Sequence, residues 1–211
     1  MLKKINVIFL VLVSFISFQS NAIANSAAEL LKQKLGQLSG FSAQFEQEVT
    51  DRDGQVVQQS HGYVELIQPD KFRWVTAEPN ENTLQSDGET VWFYDPFVEQ
   101  VTAYWLKDTI QSNPILLLLK PNSNAWDAYQ ISQQSESVFS ISTQDEQSQV
   151  VQVKLVLSNK NALSSLSILD KQGQTSVYRF SQFSAQQASD FSDTHFNFEL
   201  PAGVELDDQR Q

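Results

Sequence analysis

The sequence predicts a mainly β chain with a few helices, folded as an antiparallel barrel or a strongly curved sheet. Three observations carry that prediction. Short runs that alternate, or that are rich in β-branched and aromatic residues, recur along most of the chain. Turn sequences such as Asp51-Arg52-Asp53-Gly54, Asp87-Gly88 and Asp170-Lys171-Gln172-Gly173 separate them. Helical patterning is confined to residues 27–38 and 105–119, with one further turn over 186–191. Many short strands with helices set apart from them follow the grammar of a barrel or curved sheet. Periodicity leaves open whether the sheet closes and whether the helices cap it.

Taken in order, the chain opens on Met1-Leu2-Lys3-Lys4, a largely apolar run from Ile5 to Phe18, and the small-x-small site Ala22-Ile23-Ala24. This is the layout of a secretory signal peptide, and the run is short for a membrane span. Residues 1–24 are therefore expected to be removed, leaving a single soluble domain over 25–211. Losing Lys3 and Lys4 leaves twelve basic against 25 acidic residues and moves the net charge from −11 to −13. So acidic a chain argues against nucleic acid and against anionic membrane surfaces. The chain has no cysteine, so it folds without disulfides and carries no lipidated cysteine of its own. A bacterial periplasmic protein fits these features.

Residues 27–38 predict an amphipathic helix with Leu30, Leu31, Leu35 and Leu38 on one face and Ser26 as its N-cap. Ser39-Gly40 stops it. Phe41, Ala43, Phe45, Gln47 and Val49 alternate with polar residues in a half-buried strand. The chain returns over Val56–Ile67, with Gly62 read as a bend or bulge, and Lys71–Thr76 puts Phe72 and Trp74 on one face. The next hairpin turns at Asp87-Gly88, runs through Thr90–Tyr94 and turns again at Asp95-Pro96. Two short helices are expected around Ser112-Asn113-Pro114, the second carrying five consecutive apolar residues, Ile115–Leu119. Strands resume over 128–132, 138–143, 150–157, 163–169 and 176–183, and a last strand is expected over His195–Glu199.

Little in this sequence equips it for catalysis. His61 and His195 stand in no metal-ligand spacing, no GxSxG elbow or phosphate loop occurs, and the carboxylates are scattered. No enzyme activity, metal or cofactor is expected. What stands out is aromatic and leucine content on a frame with few reactive groups, which points to binding something apolar.

Several segments together carry a resemblance. Phe41-Ser42-Ala43-Gln44-Phe45, Pro69-Asp70-Lys71-Phe72-Arg73-Trp74, the block Val91-Trp92-Phe93-Tyr94-Asp95-Pro96-Phe97-Val98-Glu99-Gln100-Val101, Trp105-Leu106-Lys107-Asp108 and the ending Asp207-Asp208-Gln209-Arg210 resemble the LolA family of periplasmic lipoprotein carriers. The resemblance implies an incomplete, strongly curved antiparallel barrel whose concave face is covered by short helices, with an apolar cavity between them for acyl chains. It implies as partners lipoproteins bound for the outer membrane, an inner-membrane ABC-type release complex and an outer-membrane receptor, with the carrier a monomer. Under it, the expected cavity residues are Leu35 and Leu38 from the first helix, Phe72 and Trp74 from the wall, Trp92 and Tyr94 from the hairpin, and Leu116 and Leu117 from the lid. The family often has arginine before the Pro-x-x-Phe-x-Trp segment, where it holds the lid through backbone carbonyls. Here that position is Gln68, an uncharged and weaker candidate latch. The alternative reading is a periplasmic lipid-sensing or regulatory module on the same fold.

Overall fold

The computed structural model describes residues 26–112, 116–143, 145, 148–159 and 161–210. The leader expected over 1–24 lies outside them, as do Pro114 and Ile115 of the leucine segment. Helix α1 spans Ala27–Gly36, and Ser26 Oγ accepts the Glu29 amide proton at 3.2 Å. That bond satisfies one of the first-turn donors a helix leaves unpaired. Leu31 and Leu35, one turn apart, are both buried, each contributing roughly 1.5–3 kcal/mol if fully withdrawn from water. The helix ends two residues before the expected Leu38, with Gln37 as its C-cap.

Twelve strands follow among the described residues: β1 (Gly40–Thr50), β2 (Val56–Ile67), β3 (Lys71–Thr76), β4 (Asn82–Asp87), β5 (Thr90–Asp95) and β6 (Gln100–Trp105), then β7 (Tyr129–Ser135), β8 (Val138–Thr143), β9 (Val150–Leu157), β10 (Leu163–Asp170), β11 (Thr175–Ala185) and β12 (Glu205–Asp208). Helix α2 (Leu106–Ser112) and the 3-10 segments Leu116–Leu119 and Asn124–Ala128 separate the two halves. The strands form one open sheet in the order β12-β6-β5-β4-β3-β2-β1-β11-β10-β9-β8-β7. Pairing is antiparallel except where β12 joins β6 in parallel.

The sheet bends round on itself without closing. Strands β5 and β9 are seven places apart in it, which would separate them by roughly 34 Å were the sheet flat. Yet Phe93 of β5 and Leu155 of β9 line one cavity, and Phe41, Val64 and Phe72 share a core with Phe139, Leu155 and Leu166. Gly62 has a different role from the expected bend. β2 runs past it in unbroken register with β1, the ladder with β3 ends at its pair with Thr76, and the Phe45 ring lies over it. A Cβ at Gly62 would stand 2.8 Å from that ring and 1.9 Å from the Val75 carbonyl oxygen.

The last expected strand is corrected. No strand forms there: residues 193–196 form turns and 197–200 are irregular, and the segment packs across the back of the sheet. Gln85 Nε2 donates to the Phe196 carbonyl at 2.9 Å, His195 Nε2 meets Glu65 Oε2 at 2.8 Å, and Phe198 stacks on Trp92 at 5.0 Å. The alternation of Phe196 and Phe198 therefore reflects contact with a sheet face. The true C-terminal strand, β12, comes seven residues beyond Phe198.

Gly62→Ala should lower the unfolding free energy by about 3 kcal/mol, the upper end of ordinary overpacking costs. Gly54→Ala, with open space around it but a φ of +80°, should cost about 1 kcal/mol. Urea titration of the two variants checks both.

Candidate functional site

The concave face is built in cross-strand rows. Phe41, Leu66, Phe72, Ser86 and Val91 stand opposite one another in register, and beside them runs Ala43, Val64, Trp74, Leu84 and Phe93. Because side chains alternate along every strand, each row presents one face, and this face is almost wholly apolar. An aromatic cluster forms its floor. Trp74 lies 4.8 Å from Phe45, 5.1 Å from Tyr178 and 6.0 Å from Phe180 between ring centroids.

Between this face and the helices over it is a cavity of about 330 Å³. Leu35 and Leu38 line it from α1 and its exit, Phe72 and Trp74 from β3, and Leu116, Leu118 and Leu119 from the 3-10 segment. Leu117 points elsewhere. It is fully buried in the core and so anchors the segment whose neighbours face the cavity. Leu155, Leu157, Leu163 and Leu166 of β9 and β10 complete the far wall. Leu155 and Leu157 alternate in the sequence and Leu163 and Leu166 do not, because β10 shifts register between them, and nothing local says that these strands curve round to face β3.

Trp92 and Tyr94 are outside the cavity, and this corrects the expected wall pair. They do share a face, but it is the convex one. Leu84 pairs with Phe93 and Ser86 with Val91, so β5 turns Val91 and Phe93 inward. The Trp92 indole N–H donates to Asp87 Oδ2 at 3.3 Å, and its ring meets both Phe198 and the Arg210 guanidinium. Tyr94 lines a surface groove with His61, Thr83 and Pro96. Parity was the missing information: it depends on how many residues the Asp87-Gly88 turn consumes, and Leu84 opposite Trp74 is the only anchor for that count.

The cover is tied down at the C-terminal end of α1 on both sides. Gln68 Nε2 donates to the Leu35 carbonyl at 3.1 Å. Across the opening, Lys34 Nζ donates to Asn161 Oδ1 at 3.1 Å, and Asn161 Nδ2 donates to Gln37 Oε1 at 2.7 Å. The first tie adds a second donor to the Leu35 carbonyl, which also accepts the Leu38 amide proton, and the second holds the Lys34 and Gln37 side chains at the helix end. No charged side chain is among the described residues lining the cavity. Burial raises the Tyr178 phenol above its ordinary range, an effect the hydrogen bond from Gln47 opposes, so the group stays protonated. Among the described residues there is no cluster of His, Asp or Glu able to hold a metal ion, and no helix is long and apolar enough to cross a membrane.

The chain matches, over residues 36–199, the family described as outer membrane lipoprotein carrier protein LolA. It is 39% identical over 194 residues to the outer-membrane lipoprotein carrier protein of Pasteurella multocida, covering 92% of this chain and 93% of that one. It is 36% identical over 211 residues to the protein of the same name from Histophilus somni, covering 100% of both. Among solved structures, an uncharacterized conserved protein from Thermus thermophilus is similar with a TM-score of 0.52 at 10% identity, over 87% of this chain and 97% of that one. That last likeness concerns fold alone.

A brominated apolar ligand taken up by the protein should quench Trp74 and leave Trp92 bright. Steady-state fluorescence checks this: Trp74→Phe should remove most of the quenchable emission, while Trp92→Phe should leave the quenching in place.

Proposed function

The chain belongs to the LolA family of outer membrane lipoprotein carrier proteins, and from that premise we propose that it shelters lipoprotein acyl chains in its cavity and ferries them through the periplasm. Its relatives match over nearly the whole chain and bear the carrier name, which favours transport over the sensing alternative. Export by the leader at 1–24, loading by an inner-membrane ABC-type release complex, unloading to an outer-membrane receptor and action as a monomer complete the reading.

The observation that carries it is an apolar cavity closed by a cover held with few polar ties. Withdrawing an acyl chain from a bilayer costs about 0.8 kcal/mol per CH₂, so an acylated protein crosses water only if another dry site takes the chains. The carrier must also hide that site when empty, because exposed apolar patches associate. A volume of about 330 Å³ lies near the lower end of the roughly 300–1,000 Å³ spanned by small-molecule pockets. Cargo with several chains therefore has to lift the cover to fit. In this reading Leu35, Leu38, Phe72, Trp74 and Leu116 touch cargo, Leu117 pins the cover, and Gln68 is the latch. No bond is made or broken.

The latch sets an equilibrium. Gln68→Ala deletes one uncharged hydrogen bond worth about 1 kcal/mol, which should raise the open fraction about fivefold and speed uptake of a fluorescent apolar probe to match. Gln68→Arg, with more donors and a charge, should slow it. Stopped-flow mixing measures both. For the function itself, depletion from the parent cell should leave lipoproteins with outer-membrane signals accumulating in the inner membrane. Unchanged sorting would reject the carrier reading.

A further inference from the structure

The cavity is not uniform along its length. The two rows nearest α1 are almost wholly apolar, but the next ones toward the other end are not: Phe45 and Gly62 pair on with Thr76 and Asn82, and Gln47 stands opposite Ser60 and Tyr178. Gln47, Gln58, Thr76, Asn82 and Tyr178 all line the cavity there. They make hydrogen bonds without charge. Gln47 Nε2 donates to the Tyr178 hydroxyl at 2.9 Å, Gln58 Nε2 to Ser60 Oγ at 3.1 Å and Thr76 Oγ1 to Asn82 Oδ1 at 3.1 Å. These bonds leave the Tyr178 O–H proton and the Gln47 and Gln58 amide oxygens available, a mixture of donor and acceptors.

Beyond this end the surroundings are acidic. Thr76 and Asn82 also border a surface groove with Glu78 and Glu81, and Gln47 borders another with Glu46 and Glu48. Arg179 in the second groove is 3.9 Å from Glu48. A carboxylate or phosphate brought here would lose water, meet no cation in the lining and face carboxylates outside, a combination that disfavours an unpaired charge. An ester or amide meets none of these penalties, and its carbonyl can accept from Tyr178.

We infer that the cavity reads the head as well as the tail of its ligand: it takes acyl chains on uncharged ester or amide linkages, with the linkage at the Gln47–Tyr178 end and the chain tips under α1, and it rejects anionic lipids of the same chain length. This rests on the carrier reading and narrows it to a substrate class. Selection against ionised heads lets an acylated protein compete in a membrane where anionic lipids and free fatty acids offer the same hydrocarbon.

The test is displacement of 1-N-phenylnaphthylamine from the purified protein by monolaurin, by laurate and by lauroyl lysophosphatidylglycerol at mildly alkaline pH, all below their micelle concentrations. Monolaurin should displace the probe at about tenfold lower concentration than either anion. Gln58→Lys, a change at an exposed position, should bring laurate to within about twofold of monolaurin, as one added cation offsets the penalty. Gln47→Leu should weaken monolaurin several-fold relative to the probe, each measured by its own titration. Equal displacement by all three lipids, unaltered in both variants, would overturn the inference and leave the carrier reading intact. If the probe binds and no lipid displaces it, the carrier reading falls and the inference with it.

Discussion

An open sheet that turns large apolar side chains toward its hollow has to cover them in water, and the cover here consists of short helical material. Helix α1 is ten residues, and the leucine segment is a single 3-10 stretch of four. Neither would persist alone, since helices this short are marginal and 3-10 bonds are poorly aligned. What holds them is apolar contact, through Leu31 in α1 and Leu117 in the leucine segment, both with no exposed surface. The interaction that stabilises the cover is therefore the same in kind as the one a guest would make with the wall. An acyl chain can replace those contacts at little net cost, whereas a cover held by many directional bonds would resist it. The few polar ties at Leu35, Lys34 and Gln37 then set where the equilibrium lies without deciding what competes for it.

The convex face is treated in the opposite way. Trp92, Phe198, Trp105 and Arg210 form a compact outer cluster, with the guanidinium 4.8 Å from the Trp92 ring and 5.5 Å from that of Trp105. Arg210 also binds Asp208, and those hydrogen bonds lower the Asp208 carboxyl to about 2. A depressed carboxyl helps the folded state above its unfolded value and loses that help as pH falls toward 2. The group is exposed, so solvent screens the effect. Together with Gln85 and Glu65, these contacts strap the C-terminal segment over the back of β2–β5 and let the sheet keep its curvature while its front is left hollow. The more densely bonded layer is behind the cavity and the sparsely tied one in front.

Most of this sheet was legible from the sequence because its signals are local. Alternation from Phe41 to Val49, the turn at Asp53-Gly54 and the Phe72–Trp74 pair each lie within a few residues and translate directly into β1, β2 and β3. Most of the failures come from facts set at a distance. The parity of β5 follows from pairing with β4, so Trp92 and Tyr94 could be grouped together but not aimed. The strand expected over His195–Glu199 has the right period for the wrong reason, because a segment lying on a sheet also alternates. Trp126 illustrates a third kind: its indole N–H donates to the Lys120 carbonyl at 3.0 Å and closes a 3-10 turn capped by Ser123, a local device too short to stand out from its polar neighbours. Gln68 is the reverse case. Nothing in its composition marks it, and only the resemblance gives it a role that its bond to the Leu35 carbonyl fits.

The graded lining and the yielding cover belong to one physical scheme. A cover that gives way to hydrocarbon by exchanging like contacts cannot discriminate among guests, since every acyl chain offers those contacts equally. Discrimination has to come from the part of the site that does not move, and the rows beyond Trp74 are fixed by the β1–β4 and β1–β11 ladders. Their polar groups are uncharged and partly hydrogen-bonded to one another, so the empty site leaves only a few of them unmet, and those few are what a ligand's linkage engages. A charged rim would have been worse on both counts: it would need counter-ions in the empty state and would bind anionic lipids that outnumber any acylated protein. Affinity placed on the movable layer and selectivity on the static one allow the first to be kept low enough for release without weakening the second.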